Sequence, residues 1–233
     1  MSNSEVPLIG GVGAVRFDAS GAIVDAYPIL SETQINCAGG PTPWHTWLSC
    51  EEHASNLVHE TDPWGEVGAV TRPALGVFKH EAVAVDFDRW HLYLSEDESD
   101  GAFYRFRPAA MNEAGFPDLT AGTLEVAADG AVTWHPVPDP TDEAGTSTRH
   151  QVGASTRFDG GEGIRYHDAR VYLSTKGDTR VWASKRLLQV TGHDRSEGPA
   201  FDPSGTRLYF SSQRGSEGRG VTFEVTGPFH EPA

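Results

Sequence analysis

The sequence predicts an all-β fold, a β-propeller of about four to five blades, read as one domain over residues 1–233. Three observations point there. Short apolar or alternating runs recur between Gly, Pro and Asp punctuation. Helical periodicity is almost absent. A blade-sized segment repeats within the chain. Gly (26) and Pro (15) make up about a sixth of the sequence, which suits many tight turns.

In order, the strand candidates are 13–17, 22–26, 46–50, 77–86, 91–95, 102–106, 122–127 and 131–135. They continue at 163–166, 170–174, 180–183, 187–190, 207–211 and 221–225. One short helix is expected near Pro108–Glu113. So many short strands at near-regular spacing mean a sandwich, a barrel or a propeller.

The repeat selects the propeller. Glu81-Ala-Val-Ala-Val-Asp precedes His91-Leu-Tyr-Leu-Ser, Glu162-Gly-Ile-Arg-Tyr-His-Asp precedes Arg170-Val-Tyr-Leu-Ser, and Glu197-Gly-Pro-Ala-Phe-Asp precedes Arg207-Leu-Tyr-Phe-Ser. Each copy reads Glu, apolar strand, Asp-containing turn, second strand, loop, aromatic strand. Such copies are successive blades. Residues 12–27 read as part of a further blade.

The repeat also locates chemistry. Glu81, Glu162 and Glu197 share the start of an inner strand, which borders the central channel. Three converging carboxylates repel unless a cation or proton sits between them, or unless each caps a turn or pairs with a neighbouring blade. The net charge of −15 disfavours nucleic acid and anionic lipid as partners and suits either solubility or ligation of hard cations such as calcium. No stretch approaches the roughly 18 apolar residues of a membrane helix. The N-terminus lacks the basic and apolar regions of a signal peptide. No Gly-x-Ser-x-Gly elbow or phosphate-cradling glycine loop is present.

The most unusual segment is Asn36-Cys-Ala-Gly-Gly-Pro-Thr-Pro-Trp-His-Thr-Trp-Leu-Ser-Cys-Glu-Glu. Gly-Gly-Pro-Thr-Pro forces an extended or turning backbone, placing Cys37 in a rigid loop, with Glu51 and Glu52 ending the next strand. Cys37 and Cys50 are open to a disulfide, to inert burial or to metal. A thiolate with carboxylates suits a transition metal.

This segment resembles the signature of the PhoX-type alkaline phosphatases. So do Phe78-Lys-His-Glu-Ala-Val-Ala-Val-Asp, Leu92-Tyr-Leu-Ser-Glu-Asp-Glu-Ser-Asp-Gly, Phe158-Asp-Gly-Gly-Glu-Gly and Val171-Tyr-Leu-Ser-Thr-Lys-Gly-Asp. The resemblance implies an extracytoplasmic (periplasmic or secreted) propeller that hydrolyses phosphate monoesters with iron and calcium ions. It makes Cys37 the thiolate ligand of iron, Glu52 and Glu81 metal ligands, and Glu162 a calcium-site glutamate. Glu51 and Glu197 complete the expected metal set, and Cys37, Glu52, Glu81 and Glu162 the catalytic one. Many family members carry an Arg where Gly160 stands here; Arg157, Arg165 and Lys176 are the nearby substitutes. Glu162 and Glu197 are only 35 residues apart, short of a usual blade of about 40–45. The chain therefore reads as a copy one blade short, with self-association as one way to complete the ring. The alternative function is a catalytically idle calcium-binding propeller; a lactonase-like propeller leaves the Cys37 motif without a role.

Overall fold

The computed structural model describes residues 1–130, 133–183, 186–189, 194–214 and 219–227; for 186–189, 194–197 and 213–214 it describes the backbone alone. The chain folds into five antiparallel sheets in sequence order. The first comprises β1 (Ser2–Ser4), β2 (Gly10–Phe17) and β3 (Ile23–Thr33). The second comprises β4 (Asn36–Pro41), β5 (Trp47–Glu51), β6 (Val58–Thr61) and β7 (Val70–Thr71). The third comprises β8 (His80–Asp86), β9 (His91–Glu96), β10 (Phe103–Pro108), β11 (Gly122–Ala128) and β12 (Thr133–Pro136). The fourth holds β13 (Gly161–His167), β14 (Arg170–Thr175), β15 (Arg180–Trp182) and β16 (Arg186–Gln189). The fifth holds β17 (Asp194–Phe201), β18 (Arg207–Arg214) and β19 (Val221–Thr226).

Each sheet is a meander, and the inner strands pack side by side: β4 on β8, β8 on β13, β13 on β17. This is the propeller arrangement. A separate core fills each junction. Leu48 and Val58 of the second sheet meet Val83, Leu94, Tyr104 and Phe106 of the third. Ala82, Tyr93 and Phe103 meet Ile164, Tyr166 and Leu173 of the fourth. Val181 meets Leu208 and Phe210 of the fifth. Strand β8 is buried along its whole length, which accounts for its unbroken Ala-Val-Ala-Val run. The first and fifth sheets share no such junction among the described residues. The first sheet leaves Phe17, Ile23 and Val24 exposed.

The repeated Asp closes turns. Asp86 Oδ1 accepts from the backbone N–H of Asp88 and Arg89, Asp202 Oδ1 from Thr206 and Arg207, and Asp18 Oδ1 from Ser20 and Ala22. Side-chain bonds of this kind substitute for backbone turn bonds.

Two expectations are corrected. The helix near Pro108–Glu113 does not form. Pro108 ends β10 opposite Gly122, Met111 bridges Pro117, and Asn112 Oδ1 accepts from Ala114 and Phe116 N–H, tying a turn instead. Among the described residues the helical segments are single 3₁₀ turns at Pro73–Leu75 and Thr148–His150. Cys37 lies not in a loop but inside β4. Its glycine-rich sequence allows strands to meet backbone to backbone: a Cβ on Gly40 would lie 2.0 Å from the Val83 carbonyl oxygen.

Candidate metal centre

Every inner strand of the second, third and fourth sheets carries a β-bulge at one equivalent place. The register slips between Asn36 and Gly39, between His80 and Val83, and between Gly161 and Ile164. The residues inside these bulges are Cys37, Glu81 and Glu162, each with its successor. A bulge adds one unpaired residue and re-aims its side chain. Cys37 therefore holds in the second sheet the place that the glutamates hold in the third and fourth. In the fifth sheet the slip follows Glu197, whose side chain lies outside the described residues.

A second set of equivalent positions lies just past the neighbouring strands. Glu51, Glu96 and Thr175 pair opposite Asn36, His80 and Gly161, so Glu52, Asp97 and Lys176 come next in each sheet. These side chains and Lys79 form one chain of charges. Lys79 Nζ lies 2.9 Å from Glu52 Oε1 and 2.9 Å from Asp97 Oδ2. Lys176 Nζ lies 2.7 Å from Asp97 Oδ2 and 2.7 Å from Glu162 Oε1. Gly160 makes the last contact possible: a Cβ there would lie 2.7 Å from Lys176 Cγ.

Glu81 is treated differently. It is 3 % exposed, and among the described residues no Lys or Arg pairs with it. Burial, then the charges of Glu162 and Glu52, push its carboxyl well above the usual range, although the Cys37 thiol donates to it. Burial and Glu81 push the Cys37 thiol far up in turn. Burial also raises Glu52, helped by its hydrogen bond with Asp97. Burial works on Asp97 in the same sense, but hydrogen bonds from Glu52, Lys176 and Lys79 outweigh it and hold Asp97 low.

This donor set fits a cation. Glu52, Glu81 and Asp97 each offer an oxygen, all within 4.8 Å of one another, and Glu5, Cys37 and Glu52 form a second such group. Carboxylate oxygens suit calcium, and a thiolate with carboxylates suits iron. A multivalent cation would also relieve the buried charge that Glu81 otherwise avoids by holding a proton.

Of the residues expected from sequence, the structure brings together Cys37, Glu52, Glu81 and Glu162. It does not bring Glu51. That carboxylate faces the other way, accepting from Gln34 N–H at 2.8 Å and pairing with His59 Nε2 at 3.0 Å. Both cysteines are free. The sequence singles out Lys176, as a substitute for an arginine at position 160, but not Asp97, Lys79 or Glu5. The alignment of Asp97 with Glu52 was available in the repeat, since Leu94-Ser-Glu-Asp and Ser49-Cys-Glu-Glu occupy matching positions.

The acidic stretch Glu96–Asp100 at the end of β9 is partly internal. Glu96 is buried and pairs with Arg149 at 2.9 Å, while Arg149 and His150 hold Asp100 at 3.0 and 2.7 Å. This clamp fixes the strand end from which Asp97 projects.

Comparison with known proteins bears on the fold and the family. Among curated proteins none matches the sequence. Of solved structures, PhoX of Pseudomonas fluorescens in complex with vanadate, a transition state analogue, superposes with a TM-score of 0.64 at 17% identity, covering 94% of this chain. The present chain spans 64% of that protein's length. A PQQ-bound aldose sugar dehydrogenase of Streptomyces coelicolor (TM-score 0.56, 13% identity, 96% of this chain, 73% of that one) shares the fold. So does a chain of a nidogen/laminin complex (0.55, 11%, 95% and 76%). The family model for alkaline phosphatase PhoX matches residues 23–63 and 57–186, and the chain belongs to that family.

Proposed function

We propose that this chain is a metal-dependent phosphoric monoester hydrolase acting on a small phosphorylated substrate, with iron and calcium held by Cys37, Glu52, Glu81 and Glu162. The observation that carries the reading is Glu81, a buried carboxylate beside a thiol and two further carboxylates, with no Lys or Arg partner among the described residues. Bound metal ions would lower the charge on the phosphoryl group and activate an attacking water. The chain's own residues supply the rest. Cys37 and Glu81 must each give up a proton before both can ligate. With cations held by Glu52, Asp97 and Glu162, the Lys79 and Lys176 ammonium groups would be free to face phosphate oxygens. Lys176, lying in the space that Gly160 leaves open, serves where an arginine at position 160 would.

The experiment is hydrolysis of p-nitrophenyl phosphate by metal-loaded protein, before and after chelation. Turnover is expected that chelator abolishes, metal restores and vanadate inhibits. Metal-loaded protein without turnover would sink the proposal. That outcome, with calcium-dependent thermal stability, would favour the idle calcium-binding propeller. One observation favours this second reading: Lys79 and Lys176 already pair with three of the carboxylates.

An extracytoplasmic location belongs to the same proposal. So does completion of the ring by a second copy, which the exposed Phe17, Ile23 and Val24 of the first sheet support. Sedimentation would then give a dimer, and Phe17→Asp a monomer.

A further inference from the structure

Arg165 is a residue that the sequence offers as a phosphate anchor, but the structure puts it to another side. It lies past Glu162 on β13, on the stretch that runs away from the metal centre. There the far ends of three inner strands enclose a cavity of about 320 Å³. Gly39 and Gly40 of β4, Val83 and Val85 of β8 and Ile164 of β13 line it, with Phe87 just past β8. Cys37, Glu81 and Glu162 stand at the starts of the same strands, so the cavity lies at the opposite end of the channel. Arg165 is the one charged residue among the described lining residues, and it is exposed. In a chain with 33 acidic residues, no carboxylate pairs with it among the described residues. The acids at this end are committed elsewhere. Asp86 Oδ2 pairs with Arg89 at 3.2 Å, and Asp88 accepts from the Tyr166 hydroxyl. That bond fixes the Tyr166 ring, against which Phe87 packs edge-on at 5.1 Å. Phe87 is nonetheless 53 % exposed.

We propose that this cavity binds a small aromatic monoanion, with its carboxylate on the Arg165 guanidinium and its ring against Phe87. The proposal is independent of the metal-dependent reading. Each wall supplies one part of the recognition. A volume near the lower end of small-molecule sites, about 300–1,000 Å³, suits a naphthalene-sized body. The valines and Ile164 give that body apolar contact, and Gly39 and Gly40 leave it room. The planar guanidinium presents paired N–H donors that match a carboxylate. An exposed phenyl ring at the rim of an apolar cavity gains from an offset or edge-on partner ring. A cation with no competing carboxylate selects an anion over a neutral or cationic analogue of the same shape.

The test is titration of the protein with naphthoate, followed by ligand NMR, beside its neutral analogue naphthylmethanol. Wild type is expected to bind naphthoate with a Kd on the order of a millimolar or below. Arg165→Gln is expected to weaken naphthoate by on the order of tenfold and to leave naphthylmethanol unchanged, which shows that the cavity is intact. Phe87→Ala is expected to weaken both. Lys176→Ala, at the metal end of the channel, should bind naphthoate as wild type does. No binding by wild type would overturn the proposal. So would wild-type affinity for naphthoate in Arg165→Gln, or an equal loss of acid and alcohol in that variant. Binding that Lys176→Ala abolishes and Arg165→Gln spares would place the anion at the other end of the channel and overturn it as well.

Discussion

Glu51 and Glu52 are neighbours with opposite fates. Glu52 turns into the cluster of carboxylates, and Glu51 turns away to His59 and the Gln34 N–H. Burial pushes Glu51 up, but those bonds outweigh it and hold its carboxyl below the usual range. The stabilisation is therefore present above the unfolded value of about 4.3 and is lost as pH falls through the lower folded value. Glu51→Gln is expected to cost about 1–3 kcal/mol near neutral pH, with metal binding unchanged. Denaturation curves for the two proteins should converge once the pH falls below that lowered folded value. A loss of metal in this variant would return Glu51 to the ligand set. Lys176 makes a second residue-scale case. Lys176→Ala is expected to lower kcat/KM by about tenfold to a hundredfold, or about 1.4–2.8 kcal/mol, with Lys176→Arg largely restoring it. The acidic pair was legible in the sequence, but which member reaches inward was not. That depends on the bulge at Cys37 and Ala38, which no alternation pattern reveals.

At the level of strands, one device builds the site three times. An inner strand bulges, a short side chain or carboxylate is re-aimed, and a charged residue just past the end of the neighbouring strand comes beside it. The repeat of Glu, Asp turn and Tyr made the third, fourth and fifth sheets readable, because their strands are apolar and evenly punctuated. Strand β4 was not readable. Its Gly-Gly-Pro has the composition of a loop, yet small residues are what the close approach of β8 requires. Gly40→Ala tests this reasoning. A Cβ 2.0 Å from a backbone oxygen cannot be accommodated without moving a strand, so a loss of about 1–3 kcal/mol is expected in urea unfolding. An unchanged midpoint would mean that β4 and β8 meet less closely than described. Charged residues outside the repeat's apolar frame, such as Arg149 and Lys79, gave no periodic signal. Their roles emerge only where separate sheets meet.

For the whole molecule, the excess of acidic groups and the buried cluster make folding and metal binding one problem. A ligand that binds only the folded chain stabilises it by about 2.7 kcal/mol at a hundredfold excess over its Kd. Calcium or iron at that excess should therefore raise the melting temperature by several degrees, with chelator reversing the shift. The effect should vanish in Glu81→Gln, whose metal-free form is expected to be at least as stable as wild type because a buried carboxyl has become a neutral amide. The account stands or falls on catalysis by this cluster. The most direct measurement is p-nitrophenyl phosphate turnover by wild type beside Glu81→Gln, both supplied with the same iron and calcium. The account predicts turnover in wild type and a loss of on the order of a thousandfold in the variant, about 4 kcal/mol of transition-state stabilisation. Equal turnover in the two proteins, or none in wild type that retains its metals, would contradict it.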